Sequence, residues 1–249
     1  MNMKYINDFD KGFLDNKNIL VTGSTSGIGK ELALGLSSYG ANVILHGKNE
    51  DSLDEIYDEI IQKFNTNPLI VKYDLNDLDE SKAQEFANAI QGLYERLDGI
   101  INNAAIIGKM STLADYDLAT WQKVININVT SSYVLTKYLV PLMEGSKNPR
   151  IIFTSSGVAE KGRAYWGAYA VSKAAVKSLA EILQEELEPI SQIRVFNFDP
   201  GKTKTAMRAF AYPAENPNDL KDASSLISYY LWMLSEESNE TSERYIKFD

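Results

Sequence analysis

The sequence contains no cysteine and only one histidine, His46. Without cysteine the chain can form no disulfide, iron–sulfur cluster or zinc–thiolate site, and it can use no thiol nucleophile. A single histidine rules out a metal site built from several imidazoles, and any Ser-His-Asp triad would have to use His46. We therefore expect no metal site.

Positive charge is in deficit, with 25 lysines and arginines against 34 acidic residues and a net charge of −9. This balance disfavours nucleic acids and anionic membranes as partners, although it does not exclude a local basic pocket. No uncharged apolar run approaches the ~18 residues that would suggest a membrane span. Residues 1–17 contain no apolar core of signal-peptide length. We expect a cytoplasmic protein with no membrane partner.

The chain alternates between short apolar runs and longer segments with helical spacing. The runs are rich in isoleucine and valine, and continuous apolarity of this kind is typical of strands covered on both faces. They occupy residues 19–22, 42–46, 69–73, 99–102, 151–155 and 193–197. The helical segments between them include 29–39, 53–64, 82–93 and 121–143. This alternation predicts an α/β fold with a doubly wound parallel sheet and helices on both faces.

The chain length of 249 residues suits one α/β domain. No domain boundary, repeat or low-complexity segment is visible, so we expect a single domain over 1–249 with an N-terminal extension at 1–16. Residues 206–219 contain two prolines and lack periodicity at their end, which predicts a substrate loop. A helix is expected at 220–234 and a short last strand at 244–248.

A glycine-rich turn, TGSTSGIG from Thr22 to Gly29, follows the first strand and opens the first helix. Gly23 permits a tight turn, Gly27 lets a ligand approach the backbone, and Gly29 allows close helix–sheet packing. The free N–H groups of Ser26, Gly27 and Ile28 at the positive helix end would attract a pyrophosphate. An ordinary Gly/Ser loop is the alternative, and the strand–turn–helix context argues against it.

The second strand ends in His46, Gly47, Lys48 and Asn49. Dinucleotide folds that prefer NAD usually place an acid here to bind the ribose 2′-hydroxyl. A glycine and a lysine instead leave room for a 2′-phosphate and attract it, which favours NADP over NAD. The alternatives are a solvated lysine in a turn and, for His46, an ordinary strand-end residue.

Two further strand ends carry polar residues. Asp74 and Leu75 follow the third strand and could lie near an adenine. Asn103 and Ala104 follow the fourth, where small residues would let the backbone approach a cofactor. Simple turn chemistry would explain either pair equally well.

Tyr169 and Lys173 lie four residues apart at the start of a long apolar-periodic segment that ends near Leu187. On a helix this spacing places a phenol and an ammonium side by side. An adjacent cation favours the phenolate and would lower the pKa of Tyr169 from ~10, creating a proton-transfer group. The alternative is an amphipathic helix with a solvated lysine.

Taken together, these motifs resemble those of the short-chain dehydrogenase/reductase family. The resemblance rests on the glycine turn, the run NNAA at 102–105, Asn128, Ser156, Tyr169 with Lys173, and Pro200 with Gly201. They occur in the family's order and at its separations, from about residue 16 to the end. Residues 166–169 and 201–209 further resemble a bacterial subgroup, the YciK-like oxidoreductases.

The resemblance implies a Rossmann-type sheet of about seven strands, a nicotinamide cofactor and a catalytic set of four residues. Tyr169 would exchange a proton with the substrate oxygen, and Lys173 would lower the tyrosine's pKa and hold the nicotinamide ribose. Ser156 would hydrogen-bond the carbonyl or hydroxyl, with Thr154 and Ser155 as rival hydroxyls. Asn128 would fix a water that relays protons from Lys173, whereas from the residues alone it would face solvent.

The same resemblance implies that Pro200, Gly201, Thr203 and Thr205 contact the carboxamide end of the nicotinamide. Two positions depart from the family pattern. Ala105 stands where the family usually has a glycine, which would narrow the site slightly on the nicotinamide side. Ser26 stands where many NADP enzymes of the family carry a basic residue.

We therefore expect hydride transfer between a nicotinamide, preferably NADP, and a small-molecule carbonyl/alcohol pair. The alternatives are a non-catalytic NAD(P)-binding, redox-sensing regulator and a related epimerase or dehydratase. The mix of basic and aromatic residues near Tyr169 and in the late loop suggests an aromatic or acidic substrate. These residues are Arg163, Tyr165, Trp166, Arg208, Phe210 and Tyr212. Apolar helices at 121–143 and 168–187 suggest a homodimer or homotetramer.

Overall fold

A computed structural model describes residues 8–248 of the chain. Its centre is a seven-stranded sheet in the order β3-β2-β1-β4-β5-β6-β7, and every neighbouring pair is parallel. The strands are β1 Asn18–Thr22, β2 Asn42–Gly47, β3 Leu69–Lys72, β4 Gly99–Asn102, β5 Arg150–Thr154, β6 Arg194–Asp199 and β7 Tyr245–Lys247. The predicted doubly wound α/β fold is confirmed.

Helices cover both faces of this sheet. They are α1 Gly27–Ser37, α2 Glu50–Lys63, α3 Glu80–Gln91, α4 Leu118–Ile125, α5 Ser131–Leu139, α6 Gly167–Leu187, α7 Ala206–Ala211 and α8 Ile227–Leu234. Successive side chains of a strand point to opposite faces, and β1 shows the result. Ile19 and Val21 enter a core with α1, α2 and α8, whereas Leu20 enters a second core with α3, α5 and α6.

The strand order reverses at β1, since β2 lies on one side of it and β4 on the other. Because all strands run in one direction, their carboxyl ends share one edge of the sheet. A crevice forms at such a reversal, and ligands of open α/β sheets bind there. The register sets Val21 beside Ile101 and Thr154 beside Phe198, so the glycine turn and the loops after β4, β5 and β6 meet at this edge.

The segment predicted as one helix over 121–143 is interrupted. A π-helical turn, Asn126–Thr130, separates α4 from α5, and a 3-10 turn, Val140–Met143, ends the segment. Asparagine is a poor helix former, and the side chain of Asn128 hydrogen-bonds groups outside this segment, on Ile106 and Ser172. The helix predicted at 220–234 is shorter than expected, because a 3-10 turn at Ala223–Leu226 precedes α8.

The predicted loop at 206–219 begins instead with α7, whose N-terminus is capped by Thr205. Of the predicted N-terminal extension, residues 1–7 lie outside the described part of the chain. Residues 8–16 pack on the core: Leu14 is buried, and its N–H donates to the Tyr39 carbonyl at 2.8 Å. Within residues 8–248, no helix has the length and apolarity to cross a membrane.

Candidate active site

A cleft of about 370 Å³ opens at the carboxyl edge of the sheet. It brings together most of the residues that the sequence pointed to. Those lining it are Gly23, Ser26, Gly27, Ile28, Lys48, Asp74, Leu75, Asn103, Ala104, Ser156, Tyr169, Lys173, Pro200, Gly201, Thr203 and Thr205. Gly29, Asn49 and Asn128 do not line the cleft, and each has a supporting role described below.

The glycine turn has the geometry of an anion-binding site. Gly23 and Gly27 adopt φ angles of +67° and +53°, which favour glycine. A Cβ at Gly29 would lie 2.0 Å from the Gly23 carbonyl oxygen, so only glycine allows this helix–turn packing. Ser26 makes no side-chain cap and the first turn of α1 holds no acid, which leaves the helix N-terminus open to an anionic group.

His46 supports this turn from the end of β2. Its Nδ1 accepts a hydrogen bond from Gly23 N–H at 3.3 Å, and its carbonyl accepts one from Ser24 N–H at 2.9 Å. Burial lowers the pKa of His46 to about 4, because an imidazolium would lose its hydration there. The imidazole is therefore neutral at physiological pH and acts as scaffold.

Gly47 and Lys48 form the wall at the end of β2. A Cβ at Gly47 would lie 2.6 Å from Cγ2 of Thr25, so an acidic side chain does not fit at this position. Lys48 is exposed, lines the cleft and forms no ion pair with a described residue. Asn49 instead caps α2, accepting a hydrogen bond from Ser52 N–H at 2.8 Å. Asn49 does not line the cleft, and its place in the cofactor site stays a prediction.

The loops after β3 and β4 face each other across the cleft. Asp74 caps a 3-10 turn by accepting from Asn76 N–H at 2.9 Å. The hydroxyl of Thr22 accepts from the N–H groups of Asn103 and Ala104 at 2.9 and 3.0 Å. A Cβ at Gly23 would lie 3.0 Å from Ala104 Cα, so the two chain segments approach as closely as their backbones allow.

Tyr169 lies on the first turn of α6 and is 7% exposed. Burial raises its pKa to about 12, a hydrogen bond with Ser156 acts to lower it, and the charge of Asp199 adds to the increase. The phenol is therefore protonated at neutral pH. Ser156 itself lies just beyond the end of β5 and lines the same cleft as Tyr169.

Lys173 stands behind Tyr169, with Nζ 5.7 Å from the centre of the phenol ring. Its ammonium donates to the Thr154 carbonyl at 2.7 Å, and burial lowers its pKa to about 8. The expectation that Lys173 lowers the pKa of Tyr169 is wrong for this structure. Both groups are buried, and the loss of hydration is the largest cause of the shift at each of them.

Asn128 lies in the π-helical turn and is 2% exposed, so the solvent-facing alternative is wrong. Its amide accepts from Ile106 N–H at 2.8 Å and donates to the Ile106 carbonyl and the Ser172 hydroxyl, both at 2.9 Å. Ser172 directly precedes Lys173. Asn128 thereby ties the loop after β4 to α6 next to Lys173, and its predicted role in a water relay stays a prediction.

The rival hydroxyls of Thr154 and Ser155 also belong to residues that line the cleft, but they interact with other groups. Thr154 Oγ1 lies 3.1 Å from the hydroxyl of Tyr230 and 3.4 Å from Asn103 Oδ1, within the protein interior. The Ser155 hydroxyl is buried and interacts with the phenol of Tyr245. Only Ser156 hydrogen-bonds Tyr169, so the geometry favours Ser156 as the second oxygen-binding group.

The late loop closes one side of the cleft. Thr203 Oγ1 donates to the Pro200 carbonyl at 3.2 Å, and Thr205 accepts from Arg208 N–H at 3.1 Å as the cap of α7. A Cβ at Gly27 would lie 3.4 Å from Thr205, so this loop contacts the glycine turn.

Asp199 is a functional candidate that the motif reading missed. It ends β6, lines the cleft and is 9% exposed, and its Oδ1 accepts from Gly201 N–H at 2.9 Å. Its charge raises the pKa of both Tyr169 and Lys173. An acid directly before a Pro-Gly turn at the carboxyl end of a strand was the available signal.

The expected substrate-facing residues divide into two groups. Trp166 and Arg208 line the cleft, whereas Tyr165 and Phe210 are 59% and 58% exposed and lie outside it. Arg163 and Tyr212 do not line the cleft either. The sequence missed several residues that do, because only the tertiary fold brings them there: Thr25, Ile106, Ile107, Met207 and Ala211. Among residues 8–248, no three acidic or histidine side chains cluster as metal ligands.

Comparison with known proteins agrees with this geometry. The family model described as short chain dehydrogenase matches residues 17–216. The uncharacterized oxidoreductase YciK of Escherichia coli K12 is 38% identical over 225 residues, which cover 90% of this chain and 88% of that protein.

Two similar solved structures are complexes with a nicotinamide cofactor. A short chain dehydrogenase from Shigella flexneri 2a complexed with NADP and one from Escherichia coli CFT073 complexed with NADPH are each 36% identical to this chain. Each superposes with a TM-score of 0.92 over 96% of this chain and 99% of the other.

The chain therefore belongs to the short-chain dehydrogenase/reductase family. By class it is an NAD(P)-dependent dehydrogenase/reductase, and the solved structures similar to it include YciK of Escherichia coli, with a TM-score of 0.92 over 96% of this chain and 98% of that one.

Proposed function

We propose that this enzyme uses NADP(H) to interconvert a small-molecule carbonyl compound and its alcohol, with Tyr169 as the acid/base. The observation that carries the proposal is the convergence of Tyr169, Ser156 and Lys173 in the same cleft as an open helix N-terminus.

The residues present fit a nicotinamide dinucleotide. The N-terminus of α1 would hold the pyrophosphate, and Gly29 allows the close packing that this turn needs. Lys48 would bind a 2′-phosphate, since it is exposed in the cleft and has no described ion-pair partner. The loop from Pro200 to Thr205 would hold the nicotinamide end. When bound, the cofactor supplies a hydride to the carbonyl carbon in reduction, becoming oxidised, and accepts it in the reverse direction.

The chain's own residues then manage the oxygen and its proton. In reduction, the carbonyl oxygen takes a proton from the Tyr169 hydroxyl, which is protonated at neutral pH. Ser156 hydrogen-bonds the same oxygen and stabilises the negative charge that develops there. In oxidation the proton moves the other way. Lys173 provides a fixed positive charge behind the phenol, and Asn128 holds the backbone of this helix in place through Ser172.

A non-catalytic regulator is the weaker alternative. Such a protein would keep the glycine turn without needing an acid/base group, whereas here Tyr169, Ser156 and Lys173 all line the cleft. The family match and the name of the similar Escherichia coli protein are also those of oxidoreductases.

Cofactor titration with the Lys48→Ala variant tests the proposal. We expect the native enzyme to bind NADPH more tightly than NADH, measured by nicotinamide fluorescence. Loss of one charge-assisted contact to phosphate should weaken NADPH binding by about tenfold or more, while NADH binding stays unchanged. Lys123→Ala, at an exposed position on α4 outside the cleft, is the matched control. Equal binding of both cofactors to the native protein would contradict the NADP preference.

We also propose a single catalytic domain over 1–249, a cytoplasmic location and a homodimer or homotetramer. Exposed apolar side chains on the helices near the cleft support self-association: Leu118, Tyr133, Val171 and Ile182 are 46–69% exposed. Sedimentation analysis of the purified protein tests this, and a monomer at micromolar concentration would contradict it.

A further inference from the structure

The substrate end of the cleft is apolar where it meets Tyr169. Ile107, Val158 and Ala170 form a buried cluster with Tyr169, and Met110, Trp166, Met207 and Ala211 pack against it. Four of these apolar residues line the cleft: Ile107, Trp166, Met207 and Ala211. The Trp166 ring lies 5.7 Å from the Tyr169 ring and 5.8 Å from the Tyr212 ring. A flat or bulky apolar group would therefore meet matching surface beside the catalytic phenol.

Arg208 is the one arginine that lines the cleft within the described residues, and its charge is already balanced. Its Nε and terminal nitrogen donate to the two carboxylate oxygens of Glu215 at 2.6 and 2.7 Å. The guanidinium also stacks on the Tyr212 ring at 3.7 Å. Because Glu215 balances the charge of Arg208 and occupies two of its three nitrogens, Arg208 attracts an acidic substrate less than an unpaired guanidinium would.

Asp199 places a negative charge at the same end. One carboxylate oxygen accepts from Gly201 N–H, and Asp199 forms no ion pair with a described residue. Lys173 lines the cleft but is 4% exposed, and its ammonium already donates to the Thr154 carbonyl. Lys221 also interacts with the charge of Asp199, but it does not line the cleft, and its ammonium donates to the Lys202 carbonyl at 3.2 Å and lies 4.0 Å from the centre of the Phe248 ring. Lys48 and Asp74 also line the cleft, but they follow β2 and β3, on the far side of β1 from β6, where Asp199 lies. A substrate carboxylate near Tyr169 would thus meet repulsion without a free cation to offset it.

We propose that the substrate is an uncharged carbonyl compound bearing an aromatic or similarly bulky apolar group, and that Asp199 and the Arg208–Glu215 pair exclude carboxylate-bearing analogues. This inference rests on the proposed function and decides between the two substrate classes that the sequence left open. The apolar residues beside Tyr169 favour aromatic or bulky apolar compounds. Asp199 and the Arg208–Glu215 pair disfavour those compounds that also carry a carboxylate.

A matched pair of aldehydes tests the exclusion. Methyl 4-formylbenzoate and 4-formylbenzoate share ring and reacting group and differ in one negative charge. We expect kcat/KM with NADPH to favour the ester by about 100-fold, equivalent to about 3 kcal/mol. Glu215→Gln should free Arg208 and shift the ratio towards the acid, and Asp199→Asn should shift it in the same direction by removing repulsion. Glu59→Gln and Asp58→Asn, on α2 away from the cleft, should leave it unchanged.

A binding measurement decides the matter if neither aldehyde is turned over. Calorimetric titration of the NADPH-loaded protein with benzamide and with benzoate should show binding of the amide only. Equal binding of both, no binding of the amide, or an ester-to-acid ratio near one would each overturn the inference. The proposed function would fail separately, through absent NADPH binding.

Discussion

The two ends of the central sheet handle polar groups in opposite ways. At the amino end, Arg150 is fully buried and donates to the carbonyls of Met233 and Ser235 at 2.9 and 3.0 Å, and to Asn239 at 2.7 Å. Asp98, just before β4, accepts from Asn18 N–H at 3.1 Å and from the Ser146 hydroxyl at 2.7 Å, among other donors. Arg150 and Asp98 are thus each surrounded by fixed partners.

At the carboxyl end, polar groups face an open cleft. Ser156, Tyr169 and Asp199 line it, and Asp199 accepts a described hydrogen bond from Gly201 N–H on one carboxylate oxygen. Polar groups placed around a cleft can bind a ligand. The same strands thus provide stability at one end and chemistry at the other.

The largest effect should come from the catalytic end. Tyr169→Phe removes the proton donor, and we expect turnover to fall by about 10²–10⁴-fold, the usual contribution of a positioned general acid. NADPH binding should persist, since the ring and its packing remain. Tyr165→Phe, which removes a hydroxyl from an exposed tyrosine four residues earlier, is the control. Substantial turnover by the Tyr169 variant would remove that residue from its role.

Arg150→Met should show the opposite pattern. It leaves the carbonyls of Met233 and Ser235 without their donor, so we expect a loss of about 3 kcal/mol in the free energy of unfolding. Urea denaturation measures this, with the exposed Arg163→Met as control. NADPH affinity should be unchanged at temperatures where the variant is folded. An equal loss of cofactor affinity would show that the two ends are not independent.

His46 predicts a pH dependence of stability. Its pKa is about 4 in the folded chain against an ordinary 6.5, so the unfolded chain takes up a proton first as pH falls. The stabilisation that neutral His46 contributes to the folded chain is complete above pH 6.5, declines between pH 6.5 and pH 4, and is fully lost below pH 4. At pH 5 the loss is about 2 kcal/mol relative to pH 7. In His46→Gln, urea denaturation should show a correspondingly smaller drop, and an identical drop would refute the assignment.

Asp199→Asn should have the smallest effect, a displacement of the pH profile of kcat. The carboxylate opposes ionisation of Tyr169, so its removal lowers the pKa of that phenol. It also lowers the pKa of Lys173, whose ammonium Asp199 favours. For alcohol oxidation, which needs the deprotonated tyrosine, the rise of kcat with pH should begin at lower pH. Asp58→Asn is the control, and a profile displaced to higher pH would contradict the prediction.

Local patterns predicted the scaffold well. Each buried strand appears as a continuous apolar run because both its faces are covered, and the motif residues follow those strands at fixed places. Asn128 shows the limit of such patterns: its segment has helical periodicity, yet its amide bonds Ile106 and Ser172 and the helix widens into a π turn.

Properties set by the surroundings were harder to foresee. The spacing of Tyr169 and Lys173 was correct, but the sign of the pKa shift depends on burial, which i,i+4 spacing does not encode. The charge of Arg208 suggested an acid-binding pocket, whereas its partner Glu215 balances that charge once the loop is folded. In both cases the outcome depends on which other groups surround the residue, and only the tertiary structure determines those groups.

The contact between Gly47 and Thr25 constrains how cofactor choice could change. An aspartate introduced at position 47, the usual step towards NAD, would bring its Cβ within 2.6 Å of a stiff, β-branched neighbour. Trimming Thr25 to alanine removes the obstructing methyl group and has no such conflict of its own. Any evolutionary or engineered route to NAD through this position is therefore ordered: the neighbour changes first, and the acid follows.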